Sequence, residues 1–331
     1  MPYFWGNKRE MHNNILGNLL QKELITPEDA EKITHFEAKK PFSLHWELKT
    51  LLYLGVVLIN AGLGYLIYEN IDTIGHAVLI VLIGAVSAGC FWYAARRRRP
   101  FTFEQVESPT PYYDYILLLA CLTFLLLEGY LQYQYNFFGE RYGLATLIPM
   151  VLFFAVAYRF DHRGVLAMAI TALASWLGVT VTPRDLLSQN DFNSQTIIHT
   201  GIFLGTLLTV IPFLSERWGL KKHFSLTYLN FGVHILIVSC LAGMMGLEYS
   251  LLYFLLLCCA VGFFVWYAFT RASFYFLTVA VLYGYIGVTW LIFQNGSGFD
   301  FTFYLMYFIV SCGGIIYFLT NYKRFFKTQT P

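Results

Sequence analysis

Residues 249–271 read YSLLYFLLLCCAVGFFVWYAFTR, and Arg271 is the first charged side chain among them. At 1.5 Å per residue, the uncharged part is long enough to cross a hydrocarbon core of roughly 30 Å as one α-helix. Trp266 and Tyr267 come shortly before Arg271, which is the order expected where a membrane helix meets the cytoplasmic headgroups. The stretch therefore predicts a transmembrane helix.

Segments of the same character recur along the chain, and the connections between them are too short to hold a soluble domain. The sequence predicts an all-α, polytopic integral membrane protein of about ten transmembrane helices, N-in/C-in, with a short N-terminal cytoplasmic helical leader. The predicted spans are residues 50–68, 74–95, 115–134, 142–158, 164–182, 195–214, 225–245, 249–269, 272–294 and 301–319.

The composition excludes an ordinary soluble protein. Of the 331 residues, 57% are hydrophobic and 13% are charged, whereas about 25% are charged in a typical soluble domain. A net charge of +2 without a basic stripe argues against nucleic acid as a partner and leaves the lipid bilayer as the expected one. All six cysteines fall in apolar runs, which favours packing over a disulfide framework or a metal site.

The basic residues predict the orientation. With the N-terminus inside, every Lys and Arg except Arg141 and Arg184 lies on the cytoplasmic side. We therefore expect a multi-pass membrane protein with both termini cytoplasmic. The run Arg96–Arg99 is interpreted as a topological anchor beside anionic lipid, with a headgroup-binding role as the alternative.

Three regions are expected along the chain: a cytoplasmic leader at 1–47, a transmembrane domain at 48–320 and a cytoplasmic tail at 321–331. Within the leader, Thr26 is the expected N-cap of a short helix, because Pro27 suits the first helical position. In the sixth span, Gly201 and Gly205 are spaced to permit close contact with a neighbouring helix.

Polar side chains inside the membrane are the only residues that hint at function, because each is costly unless it faces a partner or a hydrated cavity. The functional interpretation gathers Glu128, His234 and His199 around an outward-opening cavity that carries protons or holds a small solute. The structural interpretation gives each of them a local packing partner. The candidate residues for an intramembrane polar site are Glu128, Gln132, His234, Asn230, Asn60 and His199.

Motifs for catalysis or cofactor binding do not appear in the sequence: it has no zinc-protease helix, nucleophile elbow, phosphate loop or dinucleotide fingerprint. We expect no catalytic residue, no bound metal and no cofactor, and an intramembrane enzyme acting on lipid is the least favoured class. A transporter or channel-like protein for a small solute or ion is favoured, with a polar site near the bilayer midplane. The alternative is a non-catalytic inner-membrane scaffold or regulatory subunit of an envelope complex, which would have a membrane-protein partner.

One family resemblance rests on the leader and the first span. Residues 25–33, ITPEDAEKI, are followed by a glycine-rich first span at residues 54–64, LGVVLINAGLG. Over residues 12–100 this order resembles a family of predicted bacterial membrane proteins known as domain of unknown function 2157. The resemblance implies a bacterial inner-membrane protein of similar topology, and it implies no catalytic residue and no substrate.

Overall fold

The computed structural model describes residues 26, 29, 45–110, 112–139, 141–181, 194–295 and 300–326. Within these ranges the chain forms ten α-helices and no strand, and each helix contains a span long and apolar enough to cross a membrane. The helices are α1 His45–Ile74, α2 His76–Arg97, α3 Tyr113–Tyr135, α4 Tyr142–Phe160, α5 Arg163–Val181, α6 Gln195–Trp218, α7 Ser225–Gly246, α8 Ser250–Thr270, α9 Phe274–Asn295 and α10 Phe301–Phe326. The predicted all-α membrane fold is confirmed.

The observed helix ends match the predicted spans closely except in α1 and α10. The first helix begins at His45 and ends at Ile74, and the last continues to Phe326. Both extensions carry polar residues, which a search for apolar runs leaves out. Glu47 and Lys49 are nevertheless good helix formers, so the helix continues beyond its apolar part.

Consecutive helices form the main packing partners: α2 packs with α3, α4 with α5, α6 with α7, α7 with α8, and α8 with α9. A large buried cluster lies in the second half of the chain and includes Val233, Ile237, Phe264 and Phe276. Because helices α2, α4, α6 and α8 all finish at the same end of the bundle, we call that end the basic end. Its connections are residues 98–112, 161–162, 219–224 and 271–273.

Glycines bring α6 and α7 together as the sequence predicted. A β-carbon added at Gly205 would lie 2.5 Å from the amide nitrogen of Leu236, and one added at Gly201 would collide with Ser239. In the opposite direction, a β-carbon at Gly232 would lie 2.7 Å from Thr209 Oγ1. The two backbones can approach this closely only because these positions have no side chain.

Contacts divide the chain into two compact units, Met1–Val57 and Leu58–Pro331. In the first unit, the amide of Asp29 donates to Thr26 Oγ1 at 3.2 Å, which is the bond expected of an N-cap at Thr26. The other residues of the expected leader, up to residue 44, lie outside the described ranges. In the second unit, α10 continues through residues 321–326 of the expected tail.

Candidate functional site

Glu128 lies in α3, about two thirds of the way from the basic end, at roughly 22 Å from Tyr113 by a rise of 1.5 Å per residue. Its side chain is 7% exposed, and its Oε1 has no hydrogen-bond partner among the described residues. Phe124, one turn back on the same face, packs edge-to-face against Phe153 of α4. An unpaired charge in this setting would be costly unless a partner or a hydrated cavity met it.

Gln132 follows Glu128 by one turn, but its hydrogen bonds go elsewhere. Its Nε2 donates to Asn136 Oδ1 at 3.0 Å, and its Oε1 accepts from the amide of Phe138 at 3.0 Å. Asn136 ends α3 in a left-handed conformation, with φ of 47°. Gln132 therefore fixes the turn after α3.

His234 of α7 is held by two tyrosines of α9. Its Nδ1 is 2.9 Å from the hydroxyl of Tyr283, and its Nε2 is 2.8 Å from the hydroxyl of Tyr275. Both rings meet the imidazole nearly edge-on, at centroid distances of 5.7 Å and 6.3 Å. With both nitrogens occupied, the imidazole joins α7 to α9.

His199 of α6 also bonds to a tyrosine. Its Nε2 is 2.7 Å from the hydroxyl of Tyr253 in α8, and the two rings are stacked. Gly243 of α7 makes room for this tyrosine, because a β-carbon at Gly243 would lie 2.5 Å from the Tyr253 ring. The pair thus ties α6 to α8 across α7.

The two candidate asparagines lie in different helices. Asn230 of α7 is half-buried, and its Oδ1 has no hydrogen-bond partner in the described part of the chain. Asn60 is half-buried in α1. Asn230 lies one helical turn before His234, so these two share a face of α7.

The candidate residues therefore fall into separate local groups. No hydrogen bond among the described residues joins Glu128 to His234 or His199, and α3 makes no extensive contact with α7. The histidines share one pattern, which His76 repeats by lying 2.6 Å from the hydroxyl of Tyr130. Among the ionisable candidates Glu128 differs from the histidines, because its Oε1 has no partner in the described part of the chain. A hydrated path to it stays a prediction.

A second polar cluster, at the basic end, was not predicted from the sequence. Asp161, just after α4, accepts from Lys221 Nζ at 3.1 Å and from the amide of Val106 at 2.5 Å. Its other oxygen is 2.5 Å from His223 Nε2. The Asp161 and Lys221 side chains are only 3% and 1% exposed. This is a buried ion pair whose remaining hydrogen-bonding capacity is satisfied, the arrangement in which such a pair is tolerated.

Lys221 also holds the connection between α2 and α3. Its amide donates to the carbonyl of Phe103 at 2.9 Å, and its Nζ donates to the carbonyl of Glu104 at 3.2 Å. The ammonium lies 5.1 Å from the centre of the Phe101 ring. Both Asp161 and Lys221 adopt left-handed backbone conformations, with φ of 59° and 46°, which their surroundings must hold in place. The cluster joins three connections of the basic end.

His162 caps the helix that follows the cluster. Its Nδ1 accepts from the amide of Val165 at 3.0 Å, so this nitrogen is unprotonated, and its Nε2 is 4.0 Å from Asp114 Oδ1. Burial lowers the pKa of His162, while the negative charges of Asp114 and Asp161 oppose that effect. The neutral imidazole is therefore the form that fits the fold.

One sequence signal could have revealed the cluster. In the sequence, the basic residues of these connections are used only to predict the orientation; they are Arg159, Arg163 and Lys221. Asp161 is the one acidic residue between two arginines in a connection of two residues. A lone carboxylate in such a place indicates a specific partner, although the sequence does not say which loop supplies it.

Comparison with known proteins bears on the first half of the chain. Residues 18–166 match a family model described as predicted membrane protein (DUF2157). This region is therefore similar to that family. The resemblance expected over residues 12–100 is confirmed, and the DUF2157 match continues through α4 to include Glu128 and Asp161. No curated protein and no solved structure is significantly similar to the chain.

Proposed function

We propose that the chain is a transporter or channel-like protein for a small solute or ion, in which Glu128 is the site that exchanges a proton or a cation. We place it in the inner membrane of a bacterium with both termini in the cytoplasm, as the distribution of Lys and Arg favours. The observation that carries the proposal is the Glu128 carboxyl, which is buried within a membrane span and whose Oε1 has no hydrogen-bond partner among the described residues.

A carboxyl buried in a membrane span serves either helix packing or the exchange of a proton or a cation. A packing role would be served by two hydrogen-bonded oxygens, as the tyrosine hydroxyls serve both nitrogens of His234. An oxygen left without a partner costs free energy in the resting protein. A transport cycle accounts for the unpaired oxygen, because the oxygen would receive a proton or coordinate a cation during that cycle.

Flux through vesicles tests the proposal. The purified chain is reconstituted in liposomes that enclose a pH-sensitive dye, and a membrane potential is imposed in buffers of choline, sodium or potassium. We expect the intact chain to move protons or one of the alkali cations and Glu128→Gln to abolish that movement. The amide keeps the size of the side chain and removes its ability to ionise.

Glu248→Gln is the matched control, because Glu248 is an exposed carboxyl in the connection between α7 and α8. It should leave the flux of the intact chain unchanged. Equal fluxes of protons and alkali cations through the intact chain, Glu128→Gln and protein-free liposomes would contradict the proposal.

A scaffold or regulatory subunit is the second candidate, and α10 is the observation that favours it. The apolar span Phe301–Phe318 has none of its residues buried within the chain. Gly313 and Gly314 lie in open space on this helix, so a partner helix could approach closely. This candidate requires a stoichiometric partner after gentle detergent extraction, and it fails when Gly314→Leu leaves recovery of that partner unchanged.

A further inference from the structure

The four consecutive arginines at the end of α2 divide into two pairs with different surroundings. Arg96 lies 4.5 Å from the centre of the Trp92 ring, and Arg97 lies 4.8 Å from the centre of the Tyr93 ring. The helix then ends, and Arg98 adopts an extended conformation with ψ of 146°. The first pair therefore stacks on its own helix, while the second pair turns away from it.

Arg98 and Arg99 line a cleft at the basic end. Arg159 from the end of α4 and Lys221 also line it, and the cleft is partly open to solvent. Glu107 and Asp161 are its acidic side chains. The excess of cationic over anionic groups makes the cleft a favourable place for an anion.

The charges of the cleft are unequally engaged. Asp161 and Lys221 neutralise each other in the buried pair, so neither is available to a ligand. Three guanidinium groups then face the single carboxylate of Glu107. Arg159 Nη1 is buried and has no hydrogen-bond acceptor among the described residues. A buried N–H of a charged group calls for an acceptor of opposite charge.

Phosphate suits this set of donors. Guanidinium groups are planar forks that pair with phosphate oxygens through two parallel hydrogen bonds, and they are weakly hydrated. We propose that the cleft formed by Arg98, Arg99 and Arg159 binds a phosphate group, carried either by an anionic lipid headgroup or by a free phosphate. Trp92 and Tyr93, which precede these arginines, are side chains typical of the headgroup level, so a lipid headgroup can reach the cleft. The opening of the cleft to solvent also admits a free phosphate.

The test uses the full chain in nanodiscs and follows its thermal unfolding by tryptophan fluorescence. In one arm, phosphatidylglycerol replaces phosphatidylcholine in increasing fractions. In the other arm, inorganic phosphate is added to phosphatidylcholine nanodiscs, against chloride at equal ionic strength. We expect the unfolding midpoint to rise in at least one arm, because a ligand that binds only the folded chain stabilises it. The arm that responds identifies the source of the phosphate.

Variants separate a built site from general charge. Arg159→Gln and Arg99→Gln should each raise the half-saturating amount of the effective probe by about tenfold, the loss of one good ionic contact. Arg96→Gln removes an equal charge from a side chain that stacks on Trp92 outside the cleft. It should change the half-saturating amount of the probe by less than about twofold. Arg99 is exposed, so its variant decides the matter when Arg159→Gln does not fold.

Two results would overturn the proposal. One is an unfolding midpoint that neither probe raises. The other is an equal weakening by Arg96→Gln and Arg99→Gln, which would mean that the run acts only through its total charge.

Discussion

Two buried carboxyls in the region that matches the family model have opposite surroundings. Asp161 is 3% exposed and is bound by a lysine, a histidine and a backbone amide. Glu128 is 7% exposed, lies within a membrane span and has an oxygen without a partner in the part of the chain that the structure describes. The buried charge at Asp161 is thus paired and holds connections together, whereas the Glu128 carboxyl keeps an oxygen at which a proton or a cation could bind.

The largest expected effect comes from breaking the Asp161 pair. Asp161→Asn removes the charge, and asparagine tolerates the left-handed backbone at this position. Because Lys221 is left as an uncompensated buried charge, we expect the chain to lose about 3–5 kcal/mol of stability. Thermal unfolding in mild detergent measures the loss.

The double variant Asp161→Asn with Lys221→Met supplies the control for that prediction. It removes both charges, so its stability should be higher than that of Asp161→Asn alone. A single variant as stable as the intact chain would contradict the role given to the pair.

A smaller effect is expected where α6 and α7 meet. Gly205→Ala places a β-carbon against the backbone of Leu236, which forces the helices apart and should cost about 1–3 kcal/mol. Gly262→Ala in α8 is the matched control, since a β-carbon there meets nothing within 4 Å and should be neutral or slightly stabilising. Equal unfolding midpoints for the two variants would show that the close approach does not matter to stability.

The pH dependence of stability should reveal the cap at His162. Burial lowers the pKa of His162 in the folded chain, so the unfolded chain binds the proton more readily. The stability that the neutral His162 cap contributes is therefore fully present above the unfolded pKa of about 6.5, and it is lost as the pH falls toward the lower pKa of the folded chain. We expect about 1 kcal/mol, the worth of an N-cap.

His162→Asn isolates this effect, because an asparagine oxygen can accept from the Val165 amide without titrating. Unfolding midpoints measured across a pH series should change less below pH 6.5 for the variant than for the intact chain. Parallel curves for both would remove His162 as the cause.

A substitution at the other buried carboxyl, Glu128, should change stability least. Glu128→Gln keeps the shape of the side chain and removes a group that we hold to be uncharged or bound to a cation. The unfolding midpoint should therefore correspond to a change within about 0.5 kcal/mol. A loss as large as that of Asp161→Asn would mean that Glu128 is a paired structural charge.

The sequence was sufficient for the architecture and insufficient for the polar contacts. Apolar runs and the positions of aromatic and basic residues predicted all ten helices, because the bilayer imposes length and polarity on each span. Gly201 and Gly205 predicted that α6 contacts another helix closely, and the structure shows that this helix is α7.

Hydrogen-bond and ion-pair partners in other helices and connections could not be predicted from the sequence, because they depend on which elements pack together. Nothing near His234 in the sequence indicates Tyr275 or Tyr283, and nothing near Asp161 indicates Lys221. Glu128 was recognised from the cost of a carboxyl in a membrane span, which is a property of the residue itself. Its lack of a partner at Oε1 became visible only in the folded chain.

Access of water to Glu128 is the central claim to test. The six native cysteines are replaced, Glu128→Cys is introduced, and membrane vesicles of both orientations are treated with an impermeant thiol reagent. Phe137→Cys, in the exposed turn after α3, is the control for reactivity. We predict that the thiol at position 128 is labelled from at least one side. Failure to label it from either side, while the thiol at position 137 reacts from one, would contradict the account.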